Sequence, residues 1–195
     1  MDKVIESIAS KIASRFVNSK HISEDKEELY KYGILIAIQS AINILSTLVI
    51  GLLSGMFFEN LCFFIVFKIL RKYSGGLHSS KFSVCFLISV GSNIIVLLTL
   101  KILEVHPNYI MLLIFEACSL LTVLIFAPVV NKNKSINQKE SRVYKSIVCG
   151  VCIVLIITTV VLIINNSFYA FIIGMSMMLN SVLIFADKVK SISTY

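Results

Sequence analysis

Residues able to do chemistry concentrate in one short stretch, Arg71-Lys72-Tyr73-Ser74-Gly75-Gly76-Leu77-His78-Ser79-Ser80-Lys81-Phe82-Ser83-Val84-Cys85. It is polar, basic and glycine-bearing, whereas the sequence on either side is apolar. Ser79 or Ser80 suits the N-cap of a following helix. Cys85 would then lie in the early turns of that helix, near Arg71, Lys72 and Lys81. A helix start and neighbouring cations are the setting that activates a cysteine as a nucleophile. His78 stands seven positions earlier, and on one continuous helix the two would lie about 10.5 Å apart along the axis. That exceeds the roughly 3 Å of a hydrogen bond. The pair can cooperate only if His78 sits in a non-helical loop folded back over the helix end. Gly75-Gly76 permits such a fold, because glycine reaches positive φ and lets backbone approach closely. A histidine taking the thiol proton, with backbone N–H groups of the helix start holding an oxyanion, is the equipment of covalent acyl transfer. From spacing alone, a solvated loop histidine and a packing cysteine are the commoner arrangement.

Other polar residues stand singly. Glu116 falls inside an apolar run, where an ionisable group is costly and marks a functional or a hydrogen-bonded structural position. Gln39 and Asn43 share one helical face, and Asn93 and Asn180 occur alone in theirs; helix-joining hydrogen bonds or a substrate contact from Gln39 would account for them. Cys149-x-x-Cys152 opens an apolar run without His or acidic neighbours, unlike a metal or redox site. Gly51-x-x-x-Gly55 fits close helix packing or a dimer contact. No phosphate loop, paired carboxylates, zinc-binding helix or nucleic-acid platform appears, and no metal or cofactor is implied.

The elements that position these residues follow from composition. The 195-residue chain is 57% hydrophobic and only 15% charged, against about 25% charged in soluble domains. Its apolar residues fall in blocks approaching the roughly 20 residues that cross a bilayer as a helix. The reading is an all-α, polytopic membrane protein with six transmembrane helices, at 29–54, 57–70, 82–103, 109–130, 147–164 and 168–185. The second is short: fourteen residues rise about 21 Å. Residues 1–28 form an amphipathic cytoplasmic N-terminus with Val4, Ile5, Ile8, Ile12 and Phe16 at helical spacing, able to lie on the membrane or pack on the protein's own loops. No cleaved signal peptide is recognisable at the start. Residues 29–186 form the membrane domain, with a catalytic loop at 71–85, and 187–195 a short cytoplasmic tail.

Charge supports this topology. The net charge of +7 is segregated, which marks membrane orientation rather than nucleic-acid binding. Lysines and arginines cluster before and at the start of the first span, between the second and third, between the fourth and fifth, and after the sixth. Six crossings with both termini inside leave only Lys101 on the outer side. The five cysteines, odd in number and scattered through apolar stretches, argue against a disulfide framework.

The order Arg-Lys-Tyr-Ser-Gly-Gly-x-His, six residues, then Cys, between two spans of a chain this long, resembles the accessory gene regulator B (AgrB) family. The resemblance extends to the amphipathic start, the six-span plan and the segment Ala127-Pro128-Val129-Val130-Asn131-Lys132-Asn133-Lys134. Ser135 departs from the proline common there. The resemblance implies a multi-pass cell-membrane cysteine endopeptidase of peptide quorum sensing, with a short AgrD-like propeptide as substrate and a homodimeric state. Such proteins remove the propeptide's C-terminal tail, hold the remainder as a thioester and release a thiolactone or lactone ring. Carried onto this sequence, Cys85 is the nucleophile, His78 the base, and Arg71, Gly75 and Gly76 shape the site. Lys72 and Lys81 belong to the basic surroundings that attract an acidic tail. The competing reading is a small transporter or scaffold in which Glu116, Gln39 and Asn43 line a polar path; it requires Glu116 and dispenses with Cys85.

Overall fold

Why the apolar blocks become helices is set by the bilayer, where every backbone N–H and C=O must be satisfied within the segment itself. In the computed structural model, which describes residues 2–19, 22–75, 81–128 and 137–192, the helices are α1 (Asp2–Asn18), α2 (Glu27–Ser54), α3 (Phe57–Ser74), α4 (Phe82–Val105), α5 (Tyr109–Phe126), α6 (Gln138–Ile164) and α7 (Tyr169–Ile192). A short 3-10 turn, Glu24–Lys26, leads into α2. No strand occurs among the described residues. The architecture is therefore the all-α, polytopic one that composition dictates.

Five helices, α2, α4, α5, α6 and α7, are long and apolar enough to cross a membrane. The outlier is α3, in which Glu59, Lys68, Arg71 and Lys72 interrupt the apolar pattern. It is nevertheless longer than the fourteen residues expected, because Arg71-Lys72-Tyr73-Ser74 continue the helix to 18 residues, a rise of about 27 Å. It runs antiparallel to α2, with Asn60 Nδ2 donating to the Thr47 carbonyl at 2.7 Å. Beside α7 it runs parallel, Phe63 meeting Ser176 and Ser74 meeting Asn180. Other boundaries also move. The fourth span stops at Phe126 rather than 130, while α6 starts nine residues before its apolar run and α7 continues to Ile192. Polar residues thus prolong helices beyond the hydrocarbon, a feature invisible to hydropathy.

The interior is organised around α7, which packs against α3, α4, α5 and α6. One apolar cluster gathers Phe63, Leu97, Leu100, Leu112 and Phe171, and a second Leu70, Val123, Val148, Met177 and Ile184. Large apolar side chains such as Leu53 and Ile110 face outward at 84% and 75% exposure. So much exposed apolar surface suits lipid, not water. Polar residues point inward instead. Thr159 Oγ1 donates to Glu116 Oε1 at 2.6 Å, and the Ser119 and Ser181 hydroxyls meet at 3.3 Å. These are interhelical bonds of the kind that join membrane helices.

Gly51, Gly55 and the N-terminal helix can each be placed against the alternatives the sequence left open. Gly51 packs α2 against α3: a Cβ there would lie 3.0 Å from Asn60 Nδ2. Gly55, at φ 73°, ends α2 in the left-handed region. Gly51 thus serves close packing between α2 and α3, one of the two roles expected of the pair, and Gly55 the turn that follows. Along α1, Ile5, Ala9 and Ala13 are buried, α1 packing on α2, and Ser14 Oγ donates to Glu27 Oε1 at 2.7 Å. Val4, Ile8 and Phe16 form an adjacent exposed apolar row. One stripe packs while its neighbour remains available to a membrane surface.

Candidate functional site

α4 begins at Phe82 with Lys81, in extended conformation, as its N-cap. The cap expected at Ser79 or Ser80 is thus displaced by at least one residue, and Lys81 has no side-chain acceptor to offer. The missing acceptor comes from 81 residues away. Ser83 donates its backbone N–H at 3.1 Å and its hydroxyl at 2.5 Å to Asp2 Oδ1. An anion at the positive end of a helix is favourable. The Ser83 hydroxyl, chiefly, holds the Asp2 carboxyl below its ordinary range, helped by the backbone N–H, the chain's amino terminus and Lys81. α1 is thereby fastened to the start of α4.

Cys85 follows one turn into α4, and its own N–H is engaged by the Lys81 carbonyl at 3.3 Å. The N–H groups of Ser83 and Cys85 are therefore already committed, and neither is open to an oxyanion. The side chain of Cys85 is half-buried and its thiol is free. It opens into a cavity of about 190 Å³ between α2, α3, α4 and α7. Arg71, in the last turn of α3, lines the same cavity, with its guanidinium over the Phe67 ring at 5.9 Å. Its charge is within reach of Cys85 and of Asp187 on α7.

Lys68, which the sequence reading did not single out for the site, also lines the cavity and sits over the Phe64 ring at 5.4 Å. Below Cys85 on the same face of α4 come Ser89, Ser92 and Asn93, with Asn43 and Thr47 on α2 lining the same space. Asn93 is 4% exposed and its Oδ1 has no hydrogen-bond partner. The 85, 89, 92/93 spacing is one helical face and was readable; Asp2 carried no such signal.

The other expected site residues distribute as follows. Gly75 caps α3 at φ 73°, ψ −144°, a conformation glycine favours, and its N–H bonds the Arg71 carbonyl at 3.2 Å. Lys72 is exposed, its ammonium over the Tyr73 ring at 5.4 Å, and is not in the cavity wall. Lys81 is exposed and contributes backbone. His78 and Gly76 lie outside the described residues, as does most of the 127–134 segment. Asn43 lines the cavity, but Gln39 and Glu116 do not. Glu116 is buried on α5 against Thr159, so the three residues of the transport reading do not together line this cavity. Cys149 and Cys152 pack in the second apolar cluster. Among the described residues no group of three or more His, Cys, Asp or Glu is placed to hold a metal.

The arrangement matches known sequences over most of its length. AgrB-like protein 2 of Clostridium perfringens (strain 13 / Type A) is 31% identical over 149 residues, covering 71% of this chain and 67% of that protein. An AgrB-like protein of C. perfringens (strain SM101 / Type A) is 30% identical with the same coverage. No solved structure matches the chain. The family description Accessory gene regulator B fits residues 6–184, so this multi-pass membrane chain belongs to the accessory gene regulator B family and, with it, to the accessory gene regulator system of peptide quorum sensing.

Proposed function

We propose that this protein is a membrane-embedded cysteine endopeptidase that removes the C-terminal tail of a quorum-sensing propeptide and carries the remainder to ring closure. The observation that supports this best is Cys85 at the start of α4, opening into a cavity whose wall includes Arg71 and Lys68. In this reading α3 is the sixth crossing and both termini are cytoplasmic, since the basic ends of α1, α3 and α4 then share the inner face.

The Cys85 sulfur attacks the carbonyl carbon at the cleavage junction, a C–S bond forms, and the C–N bond breaks. His78 takes the thiol proton and returns it to the leaving amine. An internal thiol or hydroxyl of the bound peptide then attacks the thioester. The C–S bond to Cys85 breaks, the ring closes, and the nucleophile's proton returns to the Cys85 sulfur. A thiol exchanging for a thiol changes free energy little, whereas water would discard the activated acyl group, so a shielded site serves the second step. Lys68 and Arg71 add positive potential where an acidic tail would lie.

The test is intact mass of the membrane fraction supplied with a tailed propeptide. A hydroxylamine-labile adduct of tail-truncated mass is expected on the unaltered protein and not on Cys85→Ala. Unchanged tail removal by Cys85→Ala overturns the assignment.

A further inference from the structure

Sequence places a nucleophile at Cys85; the space beneath it carries a further conclusion. That space is about 190 Å³, somewhat more than the 150 Å³ of an engineered apolar cavity that accepts benzene. It therefore holds one bulky side chain and not a folded peptide. Its wall is apolar and partly aromatic, with Phe63, Phe67, Leu179 and Leu183 from α3 and α7. Cations stand at one level only: Lys68 and Arg71 are held over the Phe64 and Phe67 rings.

The end away from Cys85 is polar but uncharged, with Ser92 and Asn93 from α4 and Thr47 from α2. Asn93 lies eight positions beyond Cys85, about 12 Å along the axis. Side chains on a helix lean toward its N-terminus, which brings the carboxamide back toward Cys85. Its Oδ1 is buried and unpartnered. A buried acceptor left without a donor is costly and rare, and here it belongs to a residue lining the one space that Cys85 also lines.

We infer that this cavity is the acyl-side specificity pocket, which takes a bulky uncharged side chain from the residue whose carbonyl Cys85 attacks, and that Asn93 accepts a hydrogen bond from the same peptide segment. The inference rests on the peptidase reading of Cys85. It makes Asn93, Leu179 and Leu183 determinants of which peptide is acylated. It also explains polar residues on α4 that helix packing leaves unused.

The labelling arm of the experiment requires no cognate peptide, and propeptide processing is followed beside it. The full-length protein in membranes is treated with acetyl-glycyl, acetyl-leucyl and acetyl-phenylalanyl chloromethyl ketones, and labelling of Cys85 is followed by peptide mass mapping. Iodoacetamide serves as the reagent without a side chain, and Cys85→Ala as the control for the other cysteines. The leucyl and phenylalanyl reagents are expected to outpace the glycyl one on the order of tenfold, the effect of burying such a side chain. Leu183→Phe, which fills the pocket, should reverse that order while iodoacetamide still labels Cys85. Asn93→Leu should slow the leucyl reagent without slowing iodoacetamide. Equal rates for all three peptidyl reagents, with propeptide processing still dependent on Cys85, overturn the pocket and leave the peptidase standing. Processing that persists in Cys85→Ala overturns both.

Discussion

Ser74 Oγ donates to Asn180 Oδ1 at 2.9 Å, joining the end of α3 to the middle of α7 across 106 residues of sequence. Both residues are fully buried, and Ser74 immediately precedes Gly75, where the chain leaves α3 at φ 73°. The point from which the glycine segment departs is thereby tied to the helix at the centre of the bundle. Under the proposed peptidase function Asn180 would be a positioning residue, acting through Ser74. Interhelical polar bonds in membranes are worth about 0.6 kcal/mol on average and up to about 1.7. If that bond sets the course of the loop carrying His78, Asn180→Leu lowers tail removal by about tenfold, near the upper end of that range. Cys85 alkylation by iodoacetamide stays at its unaltered rate, because the thiol itself is not moved. Equal processing by Asn180→Leu and the unaltered chain would show that processing does not depend on the tie between α3 and α7.

Asp2 joins α1 to the helix that carries Cys85, and its carboxyl is held below the ordinary range by Ser83. A lowered folded-state value means the contact contributes above the unfolded carboxyl value of about 3.9 and fades as pH falls through the lower folded one. Between pH 5 and 8 this group gives no pH dependence. Protection of the α1 amides, their exchange rate relative to the intrinsic rate at each pH, should therefore be flat across that range and fall only in strong acid. Asp2→Ala should raise exchange in α1 at every pH, and Asp2→Glu should raise it less. Protection that changes between pH 5 and 8 in the unaltered chain but not in Asp2→Ala would contradict this account.

The legible part of the fold was what the bilayer dictates. Long apolar runs at 29–54 and 82–103 had to be helices, and they are α2 and α4. Boundaries were less legible, because Arg71-Lys72-Tyr73-Ser74 and the start of α6 are polar yet helical, and hydropathy reports solvent rather than backbone. Within the candidate site, Cys85 and Arg71 came together as their proximity in the basic stretch suggested. Lys72 did not, since one position beyond Arg71 on a helix is a turn of about 100° away from it. Asp2 at Ser83 and Asn180 at Ser74 are pairings between distant segments. One chain read alone has periodicity within helices but no record of which faces meet.

Gly51 gives a prediction about assembly as well as stability. A Cβ there would meet Asn60 Nδ2 at 3.0 Å and Asn60 Cβ at 3.2 Å, with Phe57 backbone at 3.4 Å. Asn60 is buried and bonded to the Thr47 carbonyl, so it has little room to yield. Gly51→Ala should lower the thermal midpoint in detergent modestly, and Gly51→Val should cost about 1–3 kcal/mol, as overpacking does. Neither variant should alter oligomeric state at concentrations where the protein remains folded, because this face is already covered by α3. A shift from dimer to monomer in cross-linking, without loss of stability, would return Gly51 to an intermolecular role.

Glu116 separates the peptidase from the transporter. Its Oε1 accepts from Thr159 Oγ1 at 2.6 Å, its Oε2 is buried without a partner, and Gly174 on α7 packs close by. A structural role needs only an acceptor for Thr159, and glutamine supplies one. Glu116→Gln should therefore retain propeptide processing within about twofold, inside the scatter of a single membrane hydrogen bond. Thr159→Val should be the more damaging change, since it leaves both Glu116 oxygens buried and unpaired, at a cost of about 1–3 kcal/mol. A transport path that uses the carboxyl predicts the opposite order, with Glu116→Gln inactive and Thr159→Val mild. Measuring tail removal and thermal midpoint for both variants decides between them. A folded but inactive Glu116→Gln would make the carboxyl itself part of the function and would separate that function from the Cys85 cavity, whose wall Glu116 does not join.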